Sequence, residues 1–275
     1  MEFKELDRTG VLIPAIGIGT WGIGGFLSPD YSQDEKMIEV LRKGIELGLT
    51  LIDTAEMYGA GHSEELVGEA IKIFPREKIF IITKVLPENL RYKDLINSAE
   101  KSLKRLKTDY IDLYLIHAPN PKIPLRESMS AMEKLAEEGL TKFIGVSNFN
   151  VFQMEEAQRY LKNNKLVANQ VEYNLFYRNI EKDVLPYCEK MGITVIAYSP
   201  LARGAIPEDK FIQKIASKYN KTASQLALNW LIKKPNVIAI PKSSKIERLK
   251  EFAESTGWNI SEEDEKLILE YIKSL

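Results

Sequence analysis

One pattern constrains this chain more than any other: an alternation that runs its whole length. Short runs of β-branched and aliphatic residues are each followed by a longer segment with apolar residues at helical spacing. The first run, AIGIG (15–19), leads to a helix over 34–47, where Met37, Ile38, Leu41 and Ile45 share one face. TLID (50–53) precedes a helix over 63–73, IFIITK (79–84) one over 93–106, and YIDLYLIH (110–117) one over 125–138. FIGVSN (143–148) precedes 151–161, and LVANQV (166–171) precedes 182–191. ITVIAYS (193–199) precedes two helices, 210–219 and 223–233, and NVIAIPK (236–242) precedes 246–255. A further helix over 262–272 follows, with Ser261 as its N-cap.

These are eight strand–helix units within 275 residues, the count of a (β/α)8 TIM barrel. FKEL and VLIP flank the turn DRTG and read as an N-terminal β-hairpin that could plug the barrel floor. The expectation is an α/β chain forming a single domain over 1–275, with extra C-terminal helices. A doubly wound open sheet uses the same alternation and is the alternative. The two differ in where function lies. A barrel gathers every strand's C-terminal end at one site, whereas an open sheet has one switch point.

Composition narrows the partners. A net charge near −1 gives no support for a nucleic-acid surface, although the cluster over 242–250 suits a single phosphate. Cys188 is the single cysteine, so neither an internal disulfide nor a Cys-based metal site is expected, and no metal constellation appears. The start MEFKELDRTG lacks an apolar core, and no run approaches the ~18 apolar residues of a membrane span. The expectation is a cytoplasmic protein with no membrane association.

GIGTWG (17–22) spells G-x-G-x-x-G, the fingerprint of a Rossmann phosphate loop. In that fold the third glycine opens a helix and an acidic residue ends the second strand roughly 20 residues on. Here the motif runs into IGGFLSPDYS, too rich in Gly, Pro and Ser for a helix. Asp34 and Glu35 begin a helix, and Asp53 lies too far on. The glycines instead shape a loop, with Gly19 and Thr20 on the barrel's rim.

The strand ends form a series: Gly19–Thr20, Asp53, Lys84, His117, Ser147–Asn148, Gln170, Tyr198–Ser199 and Lys242–Ser243. In a barrel these converge on the face where active sites lie. Asp53, Lys84 and His117, with Tyr58 five residues past Asp53, make an acid suited to a carbonyl oxygen. Tyrosine's pKa of about 10 is too high for ready proton release, and an adjacent Lys84 ammonium would lower it. Asp53 would keep Lys84 charged, and His117 would orient the oxygen. The spacing alone serves equally an ordinary ion pair at the barrel mouth with Tyr58 as loop packing. His62, in GAGHSEE, reads as a loop residue beside a helix start.

At these residues the chain resembles the aldo-keto reductase family from end to end. GIGTW (17–21), LIDTAEMYG (51–59), ITK (82–84), LYLIHAP (113–119), IGVSNF (144–149), NQVEYN (169–174), AYSPL (197–201) and IPKSSKIERLKE (240–251) occur in family order. The resemblance implies a (β/α)8 barrel binding NADPH without a Rossmann domain. It implies Asp53, Tyr58, Lys84 and His117 as a catalytic tetrad with Tyr58 the proton donor. Ser147, Asn148 and Gln170 would hold the nicotinamide carboxamide, and Tyr198 would stack on the ring. Gly19, Thr20, Trp21, Ser199, Pro200, Leu201, Ile240, Pro241 and Glu251 complete the implied cofactor contacts.

IPKSS precedes a helix, so N–H groups, Ser243, Ser244 and Lys242 make an anion cradle. Taken alone these residues read as a surface charge cluster; with the resemblance, Arg248 would clamp a 2′-phosphate and stack on adenine, favouring NADPH over NADH. Trp21, Tyr58, His117 and Ala118 would line the substrate pocket.

Three departures bear on substrate choice. Many members carry Asn where this chain has Phe252, and Trp where it has Ala118. The long C-terminal tail of some members has no counterpart before Leu275. The adenine contact should differ, and substrate selection should be loose. The implied activity is reversible reduction of a small aldehyde or ketone by a monomer or weak homo-oligomer. A cofactor-binding regulatory subunit with little turnover and a Schiff-base enzyme using Lys84 are the alternatives.

Overall fold

The computed structural model describes residues 1–274. A hairpin of β1 (Phe3–Glu5) and β2 (Leu12–Pro14) comes first, paired antiparallel. Eight parallel strands follow in chain order: β3 (Ile18–Gly19), β4 (Leu51–Asp53), β5 (Phe80–Val85), β6 (Ile111–Ile116), β7 (Thr141–Ser147), β8 (Leu166–Glu172), β9 (Thr194–Tyr198) and β10 (Val237–Ala239). Helices alternate with them: α1 (Asp34–Glu46), α2 (His62–Ile71), α3 (Tyr92–Leu106), α4 (Leu125–Glu137), α5 (Val151–Tyr160) and α6 (Val184–Met191). After β9 come α7 (Ala205–Glu208), α8 (Lys210–Ser217) and α9 (Ala223–Ile232); after β10, α10 (Ile246–Ala253) and α11 (Glu262–Lys273). The expected element order holds throughout, with α7 the one helix the sequence pattern did not mark.

The sheet closes on itself, which decides for the barrel over the open sheet. Ala239 donates its N–H to Ala15 and accepts from Gly17, and Gly19 donates to Pro241, each at 2.9 Å. Parallel bridges pair Ile16 with Ala239 and Gly19 with Lys242. The AIGIG run is a two-residue strand for this reason: most of it is seam, bonded across the closure rather than within an extended ladder. A Cβ on Gly19 would lie 2.8 Å from the Ile240 carbonyl, so only glycine lets the seam close.

Inward and outward residues alternate along each strand. Leu51, Ile82, Leu113, Leu115, Ala168, Ile196 and Ile238 form an interior cluster, joined by Leu6 and Ile13 from the hairpin. The hairpin does plug the floor, and burying each of these two side chains is worth about 1.5–3 kcal/mol. Outward residues such as Ile52, Ile81, Tyr114, Ile144 and Val195 belong to a second, larger core beneath the helices. There α3 contributes Leu95, Ala99, Leu103 and Leu106, one face at helical spacing. Ser261 caps α11 through the Asp264 N–H, as its position implied. Among the described residues, no helix is long and apolar enough to cross a membrane.

Gly19→Ala tests the seam. The added methyl should cost about 1–3 kcal/mol through overpacking, read as a lower urea midpoint at constant slope. An unchanged midpoint would show that the seam has slack.

Candidate active site

The period of two along each strand fixes what reaches the barrel mouth. Two residues past the interior positions Leu51, Ile82, Leu115, Gly145, Ala168 and Ile196 stand Asp53, Lys84, His117, Ser147, Gln170 and Tyr198. The pleat that buries the first set aims the second at the barrel's C-terminal face.

At the base of this face Lys84 has no exposed surface. Its ammonium donates to Asp53 Oδ1 at 2.7 Å, to the Thr54 carbonyl at 2.7 Å and to the Tyr58 hydroxyl at 3.2 Å. The second Asp53 oxygen, Oδ2, accepts from Gln170 Nε2 at 2.6 Å, across the barrel. Tyr58 reaches this group from a tight turn, Tyr58–Gly61, with left-handed backbone at Gly59, Ala60 and Gly61. A Cβ at Gly59 would meet the Gly24 carbonyl at 2.4 Å, so the turn packs directly on the segment after β3. The Trp21 and His117 rings meet Tyr58 edge-on, at centroid distances of 4.9 and 5.8 Å.

Burial sets the protonation states. It disfavours the Lys84 ammonium, but Asp53 and Tyr58 outweigh it and hold the lysine above its usual range. Burial pushes the Tyr58 phenol up, and Lys84 opposes without reversing the shift. The sequence-based expectation of a lowered tyrosine is therefore corrected: the low-dielectric surroundings outweigh the ammonium, and Tyr58 keeps its proton at neutral pH. Burial, then Lys84, drives His117 down to about 3, so its imidazole is neutral. His117 Nδ1 is buried without a partner among the described residues.

Above this base runs a cleft of about 890 Å³. One end is walled by Trp21, Phe26, Met57, Tyr58 and His117. In the middle lie Gly19, Thr20, Ser147, Asn148, Gln170 and Tyr198. The Tyr198 hydroxyl donates to Asn148 Oδ1 at 3.0 Å, and Asn148 Nδ2 donates to the His117 carbonyl at 3.1 Å. Ser199, Pro200, Leu201 and Arg203 form one side; Ser199 and Arg203 sit in left-handed backbone, strain of a kind that clusters at binding loops. Ile240, Pro241, Lys242, Ser243, Ser244, Lys245 and Arg248 make the far end, at the start of α10. Lys245, the residue at the α10 N-cap, supplies no side-chain cap, so the first N–H groups of α10 remain for a ligand. Among the described residues, Lys242, Lys245 and Arg248 pair with no carboxylate within 4.0 Å, and all three line this end of the cleft.

The expected site residues thus converge, with three corrections. Glu251 lies outside the main cleft, its carboxylate accepting from Thr222 and facing a smaller hollow beside α9. Phe252, fully buried, lines the cleft beside Arg248 instead. Ala118 is not part of the wall; Phe26 and Met57 are, and the loop path that brings them there leaves no periodic signal. His62 is no loop residue: it opens α2 and is buried to 6% exposure, with carboxylates on both ring nitrogens.

The geometry is thus an eight-stranded barrel with a lysine–aspartate–tyrosine cluster under an elongated cleft. The sequence pattern of the aldo/keto reductase family matches residues 15–273, and the chain belongs to that family. Methylglyoxal reductase YeaE of Escherichia coli (strain K12) is 42% identical over 259 residues, spanning 92% of this chain and 89% of that protein. The crystal structure of the thermostable aldo-keto reductase Tm1743, in complex with the inhibitor epalrestat, superposes with a TM-score of 0.95 at 51% identity, over 98% of this chain and 99% of the other. An aldo-keto reductase of Klebsiella pneumoniae in complex with NADPH gives a TM-score of 0.91 at 36% identity, over 99% and 96% of the two chains.

The neutrality of His117 has a consequence for stability. Between about 6.5 and about 3 the unfolded chain takes up a proton that the folded site refuses. Folding stability should therefore fall on acidification through that window. His117→Gln should flatten the slope there, measured as urea midpoints against pH. Identical slopes in the two proteins would place a charged imidazole in the folded site.

Proposed function

We propose that this chain reduces aldehydes and ketones to alcohols with NADPH, using Asp53, Tyr58, Lys84 and His117 as its catalytic group. The observation that carries this reading is the Tyr58 hydroxyl 3.2 Å from a buried ammonium, under one end of a long cleft whose other end is cationic.

NADPH fits the cleft's chemistry. The unpaired Lys242, Lys245 and Arg248, together with Ser243, Ser244 and the α10 N-terminus, suit its phosphates. Asn148 and Tyr198 brace each other in the middle, where a flat amide-bearing ring needs hydrogen-bond partners and an aromatic face. When bound, NADPH supplies the hydride.

This chain's own residues do the rest. The neutral His117 offers a hydrogen bond that fixes the carbonyl oxygen. Tyr58, protonated at neutral pH, passes its proton to that oxygen as negative charge develops there. The phenolate left behind faces the Lys84 ammonium. A unit charge pair at 4 Å in an effective dielectric of 20 is worth about 4 kcal/mol, enough to offset much of the burial penalty on that phenolate. Asp53, steadied by Gln170, keeps Lys84 charged throughout. Trp21, Phe26 and Met57 give the carbonyl an apolar wall. The pocket's modest polar lining suits a small carbonyl compound, and the activity named for the E. coli relative makes methylglyoxal the first to try.

Tyr58→Phe should lower turnover roughly 10²–10⁴-fold while NADPH still quenches the intrinsic fluorescence. Full turnover in that variant would remove Tyr58 as the donor. Arg248→Ala should weaken NADPH binding about tenfold or more, the loss of one charge-assisted bond, and leave NADH binding nearly unchanged. Equal losses for both cofactors would place the 2′-phosphate elsewhere.

A further inference from the structure

His62 does not belong to the cleft, yet it touches both elements that build the cleft's apolar end. Its Nε2 lies 2.9 Å from Asp34 Oδ1, on the first residue of α1, and its Nδ1 lies 2.8 Å from Glu65 Oε2, one turn into α2. Both partners are carboxylates, so both ring nitrogens can donate at once only when the ring is an imidazolium. The Tyr31 ring leans on it at a centroid distance of 4.3 Å, and the Gly24 backbone packs against its Cδ2 edge. His62 also directly follows the Tyr58–Gly61 turn, whose Gly59 N–H donates to the Phe26 carbonyl at 2.7 Å. A positive charge at a helix N-terminus opposes the macrodipole, so this imidazolium does little for α2 itself. What it joins is the segment 22–33 to the turn that carries Tyr58.

That segment matters because it supplies the substrate wall. Phe26 lines the cleft and meets Trp21 edge-on at 5.5 Å, and Trp21 meets Tyr58. The segment has no helix or strand of its own; besides the Gly59–Phe26 bond it has the Gly22–Gly25 bridge and the Ile23–Thr20, Asp30–Gly24 and Ser32–Asp30 bonds, all short-range. Phe26, Leu27 and Tyr31 are largely exposed. Little besides the His62 contacts anchors its outer half.

We propose that His62 is a positioning residue: bridging Asp34 and Glu65, it pins the segment 22–33 against the Tyr58 turn and so sets the width of the apolar end of the cleft for bulky carbonyl substrates. The inference rests on that end being the substrate side. The charged groups facing the ring are Asp30 on the segment, Asp34 on α1 and Glu65 on α2; Arg105 of α3 reaches Gly61 but is held by Glu64 at 2.7 Å. Burial disfavours the imidazolium, but the hydrogen bonds and charges of Glu65 and Asp34 outweigh it and raise its pKa. A raised value means that the clasp is complete at low pH and is released as pH rises through the folded-state value.

The experiment compares wild type, His62→Gln and Asp34→Asn with NADPH bound. Hydrogen exchange of the peptide covering 22–33 should speed up about tenfold or more in both variants, and in wild type as pH rises beyond the intrinsic rate change. The KM for a bulky aromatic aldehyde should rise by a similar factor, with kcat and NADPH affinity unmoved and the KM for methylglyoxal little changed. The double variant should add nothing to either single one. Unaltered exchange in both single variants would overturn the proposal. So would a general loss of thermal stability, kcat and NADPH binding without a selective KM change. Because exchange needs no turnover, it stands even if wild type reduces no carbonyl, a result that would instead overturn the proposed reaction.

Discussion

A lysine with no exposed surface is held charged inside this barrel, and the rest of the site is arranged around it. Burying an ion pair costs several kcal/mol per ion unless the geometry and additional hydrogen bonds repay it. Lys84 has the Asp53 carboxylate, the Thr54 carbonyl and the Tyr58 hydroxyl; Asp53 has Gln170 as well. β4, β5 and the segment after β4 therefore meet on one nitrogen, and β8 joins them through Asp53. The parallel barrel makes this possible because its closure brings β4, β5 and β8 to a common centre. The seam at Gly19 thus bears on the chemistry as well as on stability.

The same ion pair explains the division of the cleft. Burial, helped by the one positive charge deep in the base, keeps His117 neutral. The uncompensated positive charges stand at the opposite end, where α10 begins. A cleft neutral and apolar at one end and cationic at the other suits the proposed ligands, a small uncharged carbonyl beside Tyr58 and phosphates beside Lys242 and Arg248.

Much of this is legible in the sequence because strand geometry is periodic. The step from Leu51 to Asp53, from Ile82 to Lys84 and from Leu115 to His117 carries each polar residue to the mouth, and eight such ends imply one rim. The alternation likewise yields the order of the elements. What escapes is whatever depends on contact between segments distant in sequence. The Gln170 bond to Asp53 needs the register of strands on opposite sides of the barrel. The clasp of Asp34, His62 and Glu65 needs the path of a loop rich in Gly and Pro, where no periodicity guides the eye. Phe26 and Met57 reach the wall by the same kind of path, and Ala118 and Glu251 miss it. The direction of the Tyr58 shift escapes for another reason: spacing reveals the neighbouring ammonium but not the depth of burial that outweighs it.

The central claim is that Lys84 stabilises the phenolate of Tyr58. It is tested most directly by the pH profile of carbonyl reduction in wild type and in Lys84→Met, with retained NADPH binding confirming the fold. Without the ammonium, burial acts on Tyr58 unopposed. The basic limb of the profile should move to higher pH, and the plateau rate should fall by about 10²-fold or more. An unchanged limb at an unchanged rate would contradict the account.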